Sequence, residues 1–384
     1  MKLTRQHELF RESLRRTLHQ EIAPHIDIWE KERKMPAREV YTKMGKLGYL
    51  GLTHPVEYGG LGLDLGYSYV WAQELGKLSA GSISMSLSVQ TDIATPLLAE
   101  YGSQELKQNF LSGAISGNLI AAIAVTEIKG GSDLGAMQVR AERTSDGYIL
   151  NGGKAWITNG SIADFAVTLC RTGSGNSISN LSILVIPTNL PGVTREPIIE
   201  KLGNWSCDHG HLTFNQVLVP SENLLNEEGC GYELQTRSFA RERCFLAVVA
   251  CSQAKRMLHQ VIHYAAHRQM LGEKLLNHQS ASFRLAELFS ELDLVMTYTS
   301  ATYEKLARNE DCIREASVAK LRASRLVRSV ADCSLQLYGA AGYMTLGGVE
   351  RDFRDCRASS LAGGADEALL HFISAYLEHS TAKY

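Results

Sequence analysis

The chain has 384 residues, more than the roughly 250–300 that one hydrophobic core usually serves, so we expect two or three packed units. Hydrophobic residues make up 45% and charged residues 21%, a balance that excludes wholesale disorder and fibrous repeats. Thirty-nine Lys and Arg stand against 41 Asp and Glu, and this net charge of −2 gives no global electrostatic indication of a nucleic-acid partner or an anionic membrane.

The first part of the chain is predicted to be helical. Leu14, Leu18 and Ile22 recur at helical spacing behind Thr4, which would cap the helix. A glycine-rich loop at 58–66 interrupts this pattern before it resumes. The start carries no apolar secretion segment, and no apolar run reaches the ~18–20 residues that cross a bilayer, so we predict a cytoplasmic protein with no membrane partner.

The middle of the chain changes to a period of two, which is typical of strands. Apolar residues alternate over 165–169 and again over 212–219. The dipeptides Asp146-Gly147, Asn151-Gly152 and Asn159-Gly160 are hairpin signals. Short strands joined by tight turns predict a small antiparallel barrel or sandwich.

The last part of the chain again shows long helical patterns. Segments near 233–270, 280–308, 313–338 and 364–378 are joined by short connections, as an antiparallel four-helix bundle requires. The fold class is therefore predicted to be α+β, mainly α. We place the three units at residues 1–118, 119–228 and 229–384.

The eight cysteines are scattered and form no Cys-x-x-Cys pair, which favours buried, reduced thiols over a disulfide framework. Two clusters have the composition of metal sites: Cys207, His209 and His211 on a predicted strand, and three histidines at i, i+4 and i+8 from His259 on a predicted helix. The strand cluster lacks an evident fourth ligand, and the helix cluster spans about 12 Å along its axis. We interpret both as fortuitous and predict no metal.

A glycine pair in the middle segment is a candidate for anion binding. Gly131 and the preceding glycine would let backbone amides turn inward, and Ser132 would add a hydroxyl donor. Thr126, Trp156 and Thr158 would offer hydroxyl groups and a flat indole to a planar heterocycle. The alternative is a pair of β-turns with a core tryptophan, and these residues alone favour that alternative.

Glu242 is a candidate general base. It precedes the run CFLAVVAC at 244–251, and Phe245, Leu246 and Val249 share its helix face. A carboxylate that faces apolar side chains has a raised pKa, which suits proton abstraction near neutral pH. The alternative is a first-turn glutamate favoured by the helix dipole, and the sequence leaves the two open.

Arg268 closes a predicted helix, either as a C-terminal arginine that binds free carbonyls or as a bidentate phosphate ligand. Gln336, Gly339 and Ala340 belong to a small-residue break after another helix, where a ligand could approach the backbone. Gly363-Gly364 is a similar break before the last helix.

Taken together, these stretches resemble the acyl-CoA dehydrogenase family of flavoproteins over nearly the whole chain. The matching segments stand in family order at family-like spacing. They are EYGGLG at 57–62, TE…GSD at 126–133, NG-K-WITNG at 151–160, KLG…F…VxVP at 201–220, Glu242-Arg243, Tyr264…Arg268 with Gln279, QLYGAAGY at 336–343 and ERDFRDCR at 350–357.

The resemblance implies an N-terminal helical domain, a middle antiparallel β-barrel and a C-terminal four-helix bundle, assembled as a homotetramer or a dimer with non-covalent FAD. The residues that would contact FAD within one subunit are Val125, Thr126, Gly131, Ser132, Trp156, Ile157, Thr158, Ala365 and Glu367. Those that would reach the FAD of a neighbouring subunit are Arg268, Gln279, Gln336, Gly339 and Ala340. Those that would contact the thioester substrate are Ser132, Arg243, Gly363 and Gly364.

The resemblance also assigns the base. Most members carry a catalytic glutamate before the last helix, where this chain has Gly363. Isovaleryl- and long-chain-type members instead place it in a Glu-Arg pair on the bundle helix, which Glu242-Arg243 matches. Three further departures from the family pattern are Ile128 for a usual proline, Leu271 for a usual phenylalanine and Ala365 for a usual threonine.

The implied reaction is α,β-dehydrogenation of an acyl-CoA to a trans-2-enoyl-CoA. Glu242 would remove the α-proton, the β-hydrogen would pass as hydride to flavin N5, and an electron-transferring flavoprotein would accept the electrons. Three alternatives remain: an acyl-carrier-protein substrate in a biosynthetic pathway, an enoyl-thioester reductase or oxidase on the same scaffold, and a non-catalytic, flavin-free scaffold.

Overall fold

The computed structural model of the protein describes residues 1–345 and 347–380, and its first part is helical, as predicted. α1 begins after Thr4, whose hydroxyl accepts the His7 amide while His7 Nδ1 accepts the Thr4 amide, so the predicted cap is confirmed. The helices of this part are α1 (Arg5–Glu21), α2 (Ile26–Glu32), α3 (Ala37–Lys46), α4 (Leu65–Gly76), α5 (Gly81–Ser88), α6 (Thr95–Tyr101), α7 (Gln104–Leu106) and α8 (Ser112–Ser116). A π-helical turn, Val89–Ala94, joins α5 to α6.

The middle of the chain forms a seven-stranded sheet. Its strands are β1 (Ala121–Ala124), β2 (Arg140–Thr144), β3 (Gly147–Thr158), β4 (Phe165–Arg171), β5 (Leu181–Pro187), β6 (Val193–Pro197) and β7 (His209–Val219). β1 runs parallel to β4, with Ala121 opposite Phe165, whereas β2–β3, β3–β7, β6–β7 and β4–β5 are antiparallel. The sheet is therefore mixed, and the prediction of a wholly antiparallel barrel is wrong in this respect. The cause is a long connection from β1 to β4 that carries the β2–β3 hairpin.

Only one of the three predicted hairpin signals marks a hairpin. Asp146-Gly147 closes the turn from β2 to β3. Asn151-Gly152 lies inside β3 at a shift of register against β7, so it forms a bulge instead of a turn. Asn159-Gly160 ends β3, but the next strand does not pair with β3.

Helices resume in the last part of the chain. A short hairpin of β8 (Gln269–Met270) and β9 (Glu273–Lys274) follows the first helix. The helices are α9 (Gly231–His267), α10 (Gln279–Ala307), α11 (Ile313–Tyr338), α12 (Ala340–Tyr343), α13 (Val349–Cys356) and α14 (Asp366–Ser380). These bounds match the four predicted long helices and add α12 and α13. Residues 346 and 381–384 of the predicted third unit lie outside the described residues.

Helix α9 takes part in three hydrophobic cores. Leu234 packs in the core shared by the sheet and the helices around residues 89–115. Phe245 packs with Trp71 in the N-terminal helical core, and Ala247 packs in the core of the C-terminal helices. The apolar run after Glu242 is largely buried, with Leu246 partly exposed, because the helix passes between these cores.

Within the described ranges, no helix is long and apolar enough to cross a membrane. All eight cysteines are free and all but Cys230 are buried, which confirms the prediction of buried thiols.

Candidate active site

Trp156 lies at an irregularity of β3 and exposes its indole. The pairing of β3 with β7 shifts register between Lys154 and Ile157, and Trp156 between them has a φ of +57°. The left-handed region is costly for a bulky residue, by ~1–2 kcal/mol, and such strain is concentrated at functional sites. The side chain is 54% exposed, so the alternative of a core tryptophan is wrong.

A buried ion pair ties the loop after β1 to β3. Lys154 Nζ donates to the Val125 carbonyl and to Glu127 Oε1, each at 2.8 Å. The Glu127 carboxylate also accepts the amides of residues 138 and 139. Burial lowers the pKa of Lys154, and the Glu127 carboxylate opposes that shift. The sequence analysis did not identify this pair.

The same loop brings Thr126 beside the strand residues before Trp156. The Ala155 amide donates to the Thr126 carbonyl at 2.9 Å, and Gly131 lies against the Thr126 side chain. In the part of the chain described, the amides of Gly131 and Ser132 donate to no protein acceptor. The loop therefore presents free amides next to an exposed, flat indole.

The four other residues predicted to contact FAD within one subunit differ in their exposure. Ile157 is buried, and it pairs with Gly210 of β7. Thr158 Oγ1 lies 3.4 Å from Nε2 of His209. Ala365 precedes α14 and is partly buried, and Glu367 in the first turn of that helix is exposed.

Glu242 is buried and faces the Gly363 turn. A Cβ atom placed on Gly363 would lie 3.4 Å from Glu242 Oε1, 2.5 Å from Leu246 Cδ1 and 3.7 Å from Lys320 Cε. Burial raises the pKa of the Glu242 carboxyl group, partly offset by the charges of Arg243 and Lys320. The predicted base and the predicted glycine turn are thus parts of one site.

Gly363 and Gly364 form a turn that only glycine adopts readily, with φ of +66° and +96°. Among the described residues their two amides donate to no protein acceptor. Lys320 Nζ donates to the Gly364 carbonyl at 2.5 Å and fixes the turn from the side of α11.

Lys320 was missed in the sequence, although a signal was present. It shares a buried face of α11 with Ala316, Ala323 and Val327, where a lysine is unusual. Burial lowers its pKa to about 8, while the charges of Asp366 and Glu242 oppose the shift.

Arg243 is also buried, and its guanidinium lies near two aromatic rings. Its guanidinium lies 4.6 Å from the ring of Phe239 and 5.4 Å from that of Phe372, and Nη1 donates to Ser317 Oγ. Its Nε has no partner among the described residues. A contact between Arg243 and the substrate stays a prediction.

The residues predicted to reach a neighbouring subunit form a separate, exposed group. Arg268 caps α9 with its amide on the Tyr264 carbonyl, and Tyr264 stacks on Tyr338 at 4.0 Å beside Gly339. Three more members are exposed: Gln279 at the start of α10, Gln336 near the end of α11 and Ala340 at the start of α12. Leu271 at the hairpin tip is 90% exposed with a φ of +51°.

Neither predicted histidine cluster has the geometry of a metal site. No group of three or more His, Cys, Asp or Glu side chains in the described ranges is arranged to hold a metal ion. Burial and the Lys201 charge lower the pKa of His209 to about 4.

Three family models cover most of the chain. The acyl-CoA dehydrogenase N-terminal domain matches residues 4–118, the middle domain 122–217 and the C-terminal domain 229–377. The chain belongs to the acyl-CoA dehydrogenase family. The predictions of this family, of its fold and of an oxidoreductase enzyme are confirmed.

Relatives of known sequence and structure align over almost the full length of the chain. An acyl-CoA dehydrogenase of Bacillus subtilis (strain 168) is 32% identical over 98% of this chain and 99% of its own. The crystal structure of acyl-CoA dehydrogenase from Geobacillus kaustophilus is 34% identical and superposes with a TM-score of 0.94 over 98% of both chains. The prolyl acyl carrier protein oxidase AnaB is 27% identical, with a TM-score of 0.93 over 98% of this chain and 100% of its own.

Proposed function

We propose that the protein is an FAD-dependent acyl-CoA dehydrogenase in which Glu242 is the general base. The supporting observation is a buried carboxyl group that faces a glycine turn with two free amides. This arrangement offers a proton acceptor and hydrogen-bond donors to the same small group of substrate atoms. The product would be a trans-2-enoyl-CoA.

The residues of the β3 site fit a flavin. An exposed indole held in a strained conformation can stack on a planar ring, and the free amides of Gly131 and Ser132 can bind an anionic phosphate. We propose that these residues, with Val125, Thr126 and Thr158, hold FAD. When bound, FAD supplies the acceptor for the hydride.

The proton step follows from the surroundings of Glu242. The α-hydrogen of a thioester is weakly acidic, so negative charge that develops on the carbonyl oxygen must be stabilised. The Gly363 amide is a free donor for that oxygen, and the adjacent Glu242 carboxylate accepts the proton. Because the pKa of Glu242 is raised, the leaving proton meets a stronger base than an exposed glutamate would be.

We predict that Glu242→Gln keeps the bound flavin but loses on the order of 10²–10⁴-fold in turnover, the usual size of a general-base contribution. The measurement is anaerobic bleaching of the flavin by a panel of short, branched, aromatic and long acyl-CoA thioesters. In the unaltered protein kcat/KM should fall as the pH drops through the raised pKa, since only the ionised carboxylate accepts a proton. Wild-type bleaching rates in the variant would refute the assignment.

A second candidate substrate is an acyl group on a carrier protein, and the similarity to AnaB favours testing it. The same acyl group should be offered as CoA and as carrier-protein thioester. Oxygen consumption during turnover would identify an oxidase, whereas electron transfer to an electron-transferring flavoprotein would support the dehydrogenase. Flavin oxidation by an enoyl thioester would indicate the reductase.

We propose a homotetramer, or a dimer, in which the exposed group around Arg268 completes the neighbouring subunit's flavin site. The support is that Arg268, Gln279 and Gln336 are exposed near the ends of their helices, as is Leu271 at the hairpin tip.

A further inference from the structure

We propose that Lys320 is a positioning residue of this active site, which holds the Gly363–Gly364 turn and places a positive charge near the Glu242 carboxyl group. The inference rests on the proposed function and adds a residue to it. Its basis is geometric: one ammonium group binds the turn that supplies the amide donors and lies beside the base.

The first part of the argument is the contact with the turn. Lys320 is 1% exposed, and its Nζ donates to the Gly364 carbonyl at 2.5 Å. Both glycines have positive φ, a region that glycine enters about as readily as negative φ, so contacts such as this one select the conformation of the turn. The ammonium group orients the Gly364 carbonyl and so fixes a turn whose Gly363 lies against the Glu242 side chain.

The second part is electrostatic. Lys320 Cε and Glu242 Oε1 lie within 4 Å of one point, the position of a Cβ on Gly363. Among the described residues the Glu242 carboxylate makes no ion pair; burial raises its pKa, and the charges of Arg243 and Lys320 oppose that shift. A cation in a buried site favours a neighbouring carboxylate strongly, because little water screens it.

The other charged groups around this pair are accounted for. Arg243 is the second cation near Glu242, from α9 itself. Asp366 faces Lys320 from α14, but Arg325 and Arg328 of α11 already pair with it. Lys320 is therefore the cation supplied to the base by a different helix.

Two substitutions separate the two roles. Lys320→Gln keeps a donor for the Gly364 carbonyl but removes the charge, so the acid limb of the kcat/KM profile should move up by about one pH unit with the plateau nearly kept. Lys320→Met removes both, so the plateau should also fall about 10-fold or more as the turn is released. Arg322→Met is the matched control, since Arg322 lies on the same helix but is exposed and pairs with Glu291.

A second measurement does not depend on turnover. The carbonyl stretch of the protonated Glu242 carboxyl group, identified as the infrared band missing in Glu242→Gln, should persist to higher pH in Lys320→Gln. If Lys320→Met does not fold, Lys320→Gln and Lys320→Arg carry the test, and Lys320→Arg should restore the acid limb.

The outcomes distinguish this inference from the proposed function. If no acyl thioester bleaches the flavin of the unaltered protein, the proposed function fails. If the unaltered protein is active and Lys320→Gln shows the same acid limb and the same infrared titration, the role of Lys320 is overturned.

Discussion

At the scale of single residues, the structure shows strain where the sequence shows only a tryptophan. Trp156 has a φ of +57°, in the left-handed region that glycine and asparagine adopt most readily. The sequence gives no indication of the φ of Trp156, because this conformation depends on the register shift between β3 and β7. For Glu242, in contrast, the apolar run that follows it predicts apolar surroundings, and the side chain is buried.

We predict that Trp156→Asn separates stability from cofactor binding. Asparagine tolerates positive φ, and the indole is mostly exposed, so the flavin-free variant should be as stable as the parent or up to ~1 kcal/mol more stable. Its flavin affinity should fall. Chemical denaturation and flavin titration measure the two quantities. Gln216→Asn at the β7 bulge, also at positive φ, is the control that should leave the affinity unchanged.

At the scale of elements, sequence periodicity predicted the long helices well and the sheet less well. A helix is specified by residues close together in the chain, so the predicted helix 313–338 matches the bounds of α11. The parallel pairing of β1 with β4 joins residues more than 40 positions apart, and no local pattern encodes it. The prediction of a hairpin at Asn151-Gly152 is wrong because the same dipeptide can occupy either a turn or a bulge.

The buried Lys154–Glu127 pair is predicted to hold the loop after β1 on the sheet. Lys154→Met would leave the Glu127 carboxylate buried without its cation, at a cost on the order of 3–5 kcal/mol in unfolding free energy, and flavin affinity should fall with it. The double variant Lys154→Met/Glu127→Gln removes both charges and should recover much of the stability. Urea denaturation of the three proteins checks this, and a double variant no better than the single one would contradict it.

At the scale of the whole molecule, the parts meet through buried polar groups. Asp355 near the end of α13 accepts the amides of Gly81 and Asn204, and it lies near the Glu30 carboxyl group of α2. One side chain thus joins the N-terminal helices, the loop before β7 and the C-terminal helices. The motif around residue 355 is recognisable in the sequence. The contacts of Asp355 with Gly81 and Asn204 are tertiary, so the sequence does not predict them.

Asp355 should make stability depend on pH. Burial and the charge of Glu30 raise its pKa from 3.8 to about 7 in the folded protein. Its contribution is fully present below about pH 4, where the carboxyl group is protonated in both states, and is lost as the pH rises through about 7. Asp355→Asn should flatten the fall of Tm between about pH 4 and about pH 7. Asp332→Asn, on an exposed carboxyl group, should leave the fall as it is.

The passage of α9 between three cores has a consequence for engineering. Any attempt to reshape the proposed substrate site around Glu242 must alter a helix whose other faces support Trp71, the sheet and the C-terminal helices. Libraries directed at this helix should lose folded protein sooner than they gain new substrates. Variation is better tolerated on the partner helices, which leave the position of the carboxylate unchanged.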